Sequence, residues 1–236
     1  MKISKDTLLE SLKIISSGEM VFSLIMVFGP VIGYVSQYKS MKETRNAEAF
    51  SSKVSLILLL SNILRCYFWI GERFETTLLY QALVMIVAQL LMLQLTVSLK
   101  ASDSISRSRR SLSQSFTAQP FWEWDSLSPY LMFLAGYSGL FMLLTMMFYG
   151  SSSFFDLLGT LSLTIEAMLG VPQLYQNYKN GSAKGLSFVL IGSWFLGDLF
   201  KTLYFFYNNS PNQFIYCGLF QLFVDVAISY QILTYK

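Results

Sequence analysis

The sequence predicts an all-α integral membrane protein with seven transmembrane helices, set out as a 3 + 1 + 3 parallel repeat of three-helix bundles. Three observations carry that expectation. Hydrophobic residues make up 53% of the 236-residue chain and charged residues 13%, against about 25% charged in soluble domains. The mean hydropathy is +0.48, more apolar surface than so few charges can shield, so lipid must cover it. Seven apolar runs are long enough to cross roughly 30 Å of hydrocarbon as helices, and two sets of three repeat one another.

The runs fall at about 18–38, 50–70, 76–99, 127–149, 153–178, 186–207 and 212–235. They divide the chain into an N-terminal segment (1–17), a first three-helix unit (18–99), a polar linker (100–126), a single helix (127–149) and a second three-helix unit (150–236). Residues 1–17 do not read as a signal peptide, because Asp6, Glu10 and Lys13 stand where an apolar stretch belongs. Leu8, Leu9, Leu12 and Ile15 share a helical face, so the segment either lies on the membrane surface or is a frayed leader.

Orientation follows from the basic residues outside the spans. Lys39, Lys42, Arg45, Lys53, Lys100, Arg107, Arg109, Arg110, Lys179, Lys184 and Lys236 fall on one side, and Lys2, Lys5, Lys13 and Arg73 on the other, eleven against four. This places the N-terminus in the lumen and the C-terminus in the cytosol. The linker around Arg109, Arg110 and Ser111 reads as a flexible connection, with a phosphorylation switch as the alternative. Phe121-Trp122-Glu123-Trp124 reads as an interfacial anchor beside the fourth span.

The net charge is 17 − 14 = +3, too small to point to nucleic acid. Histidine is absent, which removes His-based metal sites, triads and relays. Cys66 and Cys217 lie in apolar runs and read as packing residues. With no P-loop, metal-ligand spacing or nucleophile–base pair, the chain is expected to be no enzyme and to hold no metal or cofactor.

Sliding the chain by 136 residues brings Ser36-Gln37 onto Pro172-Gln173, Phe50-Ser51 onto Leu186-Ser187, Asn62 onto Asp198 and Arg65 onto Lys201. Gln81 meets Gln221 at an offset of 140. The odd fourth span makes both units run the same way through the bilayer, a parallel repeat with a pathway expected between its halves.

Ionisable groups within spans cost about 2.5–3.5 kcal/mol each on insertion scales, so they mark function by default. Asn62, Arg65, Glu166, Asp198, Lys201 and Asp225 are therefore candidate translocation-pathway residues, with a satisfied buried network as the alternative. The spacing of Asp198 and Lys201 allows a pair within one turn, and Arg65 is placed to meet an acid from the other half. Gln81 and Gln221 read as interhelical hydrogen-bonding residues, and Asp156 as solvated. Pro30, Gly33 and Gln37 in the first unit, and Pro172 and Gln173 in the second, are candidate hinge or gate residues, because proline interrupts the helical ladder. A static kink is the alternative.

Leu169-Gly170-Val171-Pro172-Gln173-Leu174-Tyr175 resembles the PQ-loop motif, and Gly29-Pro30-Val31-Ile32-Gly33-Tyr34-Val35-Ser36-Gln37-Tyr38 resembles a first copy. Ser36 stands where the family usually has proline. Ser61-Asn62-Ile63-Leu64-Arg65, Arg73-Phe74-Glu75 and Gly197-Asp198-Leu199-Phe200-Lys201-Thr202 are similar to the solute carrier family 66 member 2-like branch of that family. The resemblance implies a fold related to SWEET transporters. It further implies an ATP-independent phospholipid scramblase in endosome-to-Golgi retrograde traffic, with membrane phospholipids as substrates and trafficking proteins as partners of the cytosolic loops. The alternative, from the wider family, is a proton-coupled transporter of a small amino-acid-like solute in an endolysosomal membrane. A membrane scaffold is a third reading.

Overall fold

The computed structural model describes residues 5–45, 50–108, 121–183 and 188–235. Among these, the chain is helical from end to end: α1 (Lys5–Thr44), α2 (Ser52–Gly71), α3 (Thr76–Ser108), α4 (Leu127–Met147), α5 (Ser152–Ala167), α6 (Val171–Asn180), α7 (Phe188–Tyr207) and α8 (Asn212–Thr234). A 3-10 turn, Met168–Gly170, links α5 to α6. Six stretches are long and apolar enough to span a bilayer: Met20–Thr44, Ser52–Gly71, Thr76–Lys100, Leu127–Met147, Ser152–Asn180 and Asn212–Thr234. The chain is thus a multi-pass integral membrane protein. On α4, Met132, Leu143, Met146 and Met147 are all more than half exposed, as a lipid-facing helix requires.

Local chemistry sets the ends of the rods. Ser51 accepts from the amide of Val54 at 3.5 Å and Ser151 from that of Phe154 at 3.4 Å, capping α2 and α5. Gly181, at φ +56°, ends α6 in the left-handed conformation. Between α2 and α3, Trp69 Nε1 donates to the Phe74 carbonyl at 2.9 Å while Arg73 lies 4.2 Å over the Trp69 ring.

In the first unit, α3 lies between α1 and α2; in the second, α8 lies between α5–α6 and α7. The two units meet most extensively through α2 and α5. Their shared core lies near the 72–75 turn, where Leu64, Phe68, Phe74, Phe155, Phe205 and Phe214 pack together. Toward the opposite end the cores part. Met41, Leu59, Met92 and Leu93 belong to the first unit, and Ile191, Val224 and Ile228 to the second.

Four expectations meet a different structure. Residues 5–17 are not a separate element, because α1 runs unbroken from Lys5 into the first span. The linker is helical as far as Ser108, since nothing in 97–108 is a helix breaker; Arg109, Arg110 and Ser111 lie outside the described residues. Pro30 does not interrupt α1, which continues through it. A single lost hydrogen bond is tolerated where neighbouring turns hold, whereas Gly170 and Pro172 together fall at a true change of helix type.

The fourth concerns Trp122. It is no interfacial anchor but 1% exposed, stacked edge-on against Tyr130 at 4.8 Å and packed with Phe133. The Tyr130 hydroxyl donates to the carbonyls of Trp122 and Trp124, both at 3.2 Å. These bonds fold the segment under the first unit and hold Trp122 at φ +65°. Trp122→Ala is expected to cost about 3–5 kcal/mol of stability, the usual penalty for emptying a buried aromatic site. A melt within 2 °C or so of wild type in detergent would count against this packing role.

Candidate functional site

Where the two units meet, past the middle of α2 and α7 on the side of the 72–75 turn, the structure gathers charge. Glu166, near the end of α5, accepts from two cations at once. One oxygen takes Arg65 Nη2 from α2 and the other takes Lys201 Nζ from α7 at 2.9 Å. Lys201 also donates to Gln221 Oε1 on α8 at 3.2 Å. The side chains of Arg65, Lys201 and Glu166 are 2%, 12% and 15% exposed. Three helices from both units thus meet at one carboxylate, and α8 joins them through Lys201. Arg65 is also 5.7 Å from the Phe214 ring centroid, a cation–π contact on the side facing the shared core.

Asp198 does not pair with Lys201 within ion-pair distance. The lysine stem reaches past its own turn to Glu166, and the carboxyl of Asp198 neighbours that of Asp225 on α8. Asn62 stands apart: its amide donates to the Leu58 carbonyl of its own helix at 2.7 Å.

Gln221 belongs to the cluster, where the interhelical bond expected of it is made to Lys201. Gln81 is buried, but its Oε1 takes no donor. Asp156 accepts from Gln213 at 2.8 Å at the exposed end of α5.

The proline–glutamine segment lies nearly two turns beyond Glu166. Gly170 lets α8 approach: a Cβ there would sit 2.9 Å from Val224 Cγ1. Leu169 packs across the unit boundary on Val31, Leu58 and Met85. Gln173 donates to Asn177 Oδ1 at 2.8 Å, and Gln231 of α8 donates to the Leu174 carbonyl at 3.0 Å. In the first unit, Pro30 and Gly33 are exposed and Gln37 half-buried on α1.

A second polar group closes the 72–75 end. The Tyr204 hydroxyl of α7 donates to Glu75, and Thr77 of α3 donates to Ser23 of α1 at 3.5 Å. Phe22 of α1 stacks on Phe200 of α7, centroids 5.5 Å apart and planes within 8°.

Fold and site together define a helical, multi-pass membrane protein whose two units share a buried ion cluster. A PQ loop repeat is present over residues 154–214, a stretch that contains Glu166, Asp198 and Lys201. Two proteins of Saccharomyces cerevisiae are similar to this chain. Scramblase ANY1 is 23% identical over 287 aligned positions, covering 92% of this chain and 71% of the relative. The vacuolar histidine transporter YPQ3 is 30% identical over 77 positions, covering 33% of this chain and 26% of the transporter.

Proposed function

We propose that the protein moves phospholipids between the leaflets of its membrane without ATP, as a scramblase. The observation that carries this reading is the similarity to a yeast scramblase, which extends along 92% of the chain. The chemistry of the site agrees with it. What holds a lipid in its leaflet is the cost of taking a charged head group into hydrocarbon. Arg65, Lys201, Glu166, Asp198 and Asp225 offer both signs of charge within the helical bundle, which suits zwitterionic and anionic head groups alike.

The working architecture is a seven-span 3 + 1 + 3 parallel repeat of the solute carrier family 66 member 2-like branch. The like order of helices in the two units supports it, as does the twenty-residue α7 as a seventh span. The excess of basic residues puts the N-terminus in the lumen and the C-terminus in the cytosol. By resemblance to that branch, the compartment is the endosome and trans-Golgi network and the process retrograde traffic, with cytosolic loops meeting trafficking proteins. No covalent chemistry is assigned, and no cofactor or metal is required.

The test is reconstitution in liposomes carrying fluorescent phospholipid in both leaflets, followed by a dithionite quench. The expected result is a quench that continues past the outer-leaflet fraction with wild-type protein and slows with Asp198→Asn. A quench identical to that of empty liposomes, with folded protein present, removes the scramblase reading. The second reading, a proton-coupled transporter of an amino-acid-like solute, is favoured by the facing carboxyls of Asp198 and Asp225 and by the partial similarity to a histidine transporter. It requires solute uptake driven by a pH gradient, abolished by Asp198→Asn.

A further inference from the structure

The repeat makes the α1–α7 seam the counterpart of the α2–α5 seam, because the 136-residue offset carries α1 onto α5 and α2 onto α7. The two seams are built very differently. Along α2–α5 the helices interlock: Phe68 fills the space of a missing Cβ at Gly159, Phe155 does the same at Gly71, and Ser162 Oγ donates to the Ser61 carbonyl at 2.8 Å. Among the described residues, α1 and α7 touch only sparsely. Their ring contact, Phe22 on Phe200, lies near the 72–75 turn, beside the Tyr204–Glu75 bond.

Away from that turn, Gly33 of α1 and Gly192 and Gly197 of α7 face open space. Phe200, on which Phe22 of α1 stacks, precedes Lys201 in α7 and packs on the same core as Leu64, the neighbour of Arg65, so the seam lies at the level of the ion cluster. Of the two cations there, Lys201 is the more exposed, at 12% against 2% for Arg65.

We propose that the α1–α7 seam is the lateral portal by which a phospholipid head group reaches Lys201 and Glu166 while its acyl chains stay in the bilayer, and that Phe22–Phe200, level with Lys201, with Tyr204–Glu75 one turn nearer the 72–75 turn, is the clamp that closes it. The occupant is fixed by charge and by access. A cluster carrying both signs lies behind a seam that faces hydrocarbon, which matches a molecule with a charged head and apolar tails. This inference rests on the scramblase reading and specifies its route.

The experiment uses the full chain with Cys66 and Cys217, both free, replaced by serine. F22C/F200C is joined by a short bis-methanethiosulfonate linker, and S61C/S162C is joined as the control across the seam already closed. Linking F22C/F200C is expected to slow lipid movement at least ten-fold, with recovery on reduction, while the S61C/S162C link leaves it unchanged. Tyr204→Phe, which removes one bond of the clamp, is expected to speed it several-fold.

An unchanged rate in the linked F22C/F200C protein, beside active wild type, overturns the portal and leaves the scramblase reading standing. Wild type that moves no lipid overturns the scramblase reading, and a second measurement then decides the seam. Phosphatidylcholine with a diazirine on its head group should label the α7 peptide at the depth of Lys201, where leaflet head groups do not otherwise reach. Labelling confined to the ends of α1 and α7 overturns the portal.

Discussion

Glu166→Gln is expected to be the most damaging single substitution in the protein, costing about 3–5 kcal/mol, the penalty for leaving a buried charge uncompensated. The reason is its valence in the network. Glu166 is the carboxylate that both Arg65 and Lys201 meet. A glutamine keeps the shape and one acceptor oxygen but supplies no charge, so two cations lose their counter-ion together. Arg65 suffers more, being almost wholly buried. The reverse substitutions are milder. Arg65→Met leaves Glu166 paired with Lys201, and Lys201→Met leaves it paired with Arg65. Thermal unfolding of the purified variants in detergent should rank Glu166→Gln below both. If Glu166→Gln melts with or above Lys201→Met, the cluster does not hold the two units together.

Gly71→Ala is expected to rival that effect through packing alone. A Cβ at Gly71 falls 2.1 Å from Phe155 Cγ, whereas one at Gly159 falls 2.6 Å from the far edge of Phe68, at Cζ. The difference decides the outcome. An edge atom moves aside with a small change of side-chain torsion, but Cγ is the ring's point of attachment and moves only if the whole side chain changes rotamer. Overpacking costs typically about 1–3 kcal/mol, and more where no rotamer relieves it. Gly159→Ala should fall within that range and Gly71→Ala at or above its top. Phe155→Ala alone leaves a cavity, yet adding it to Gly71→Ala removes the clash. The double variant should therefore be more stable than the sum of the singles, a coupling that a double-mutant cycle measures. Strict additivity would mean that the α2–α5 contact is not formed as described.

The same residues show what was legible in the chain and what was not. Glu166, Asp198, Asp225, Lys201 and Arg65 stand out in sequence because each is costly in an apolar run. Their partners do not. Spacing alone pairs Asp198 with Lys201 on one helix, but a lysine stem is long enough to serve a neighbouring helix instead, and Glu166 is there to receive it. Asn62 has the right register to mirror Asp198 and still spends its amide on its own backbone. Trp122 looks like a belt residue because tryptophan is amphipathic. Only the end of the first unit, lined by Tyr130, Met92 and Leu93, makes it a core residue. The interlocking glycines Gly71 and Gly159 carry no local signal, since each matters only because a phenylalanine from the other unit lies over it.

The sequence by itself determined that the chain is helical and embedded in a membrane, where its apolar stretches begin and end, and which side chains bear charge within them. Those properties follow from residue type and order, through transfer free energy and the need to satisfy the backbone in lipid. Which helices touch was decided by the tertiary structure alone. In lipid no difference in hydrophobicity favours one helix neighbour over another, so pairing is settled by shape, close approach and buried charge. That choice closes the α2–α5 seam, leaves α1 and α7 joined mainly near the 72–75 turn, and brings Glu166 between Arg65 and Lys201.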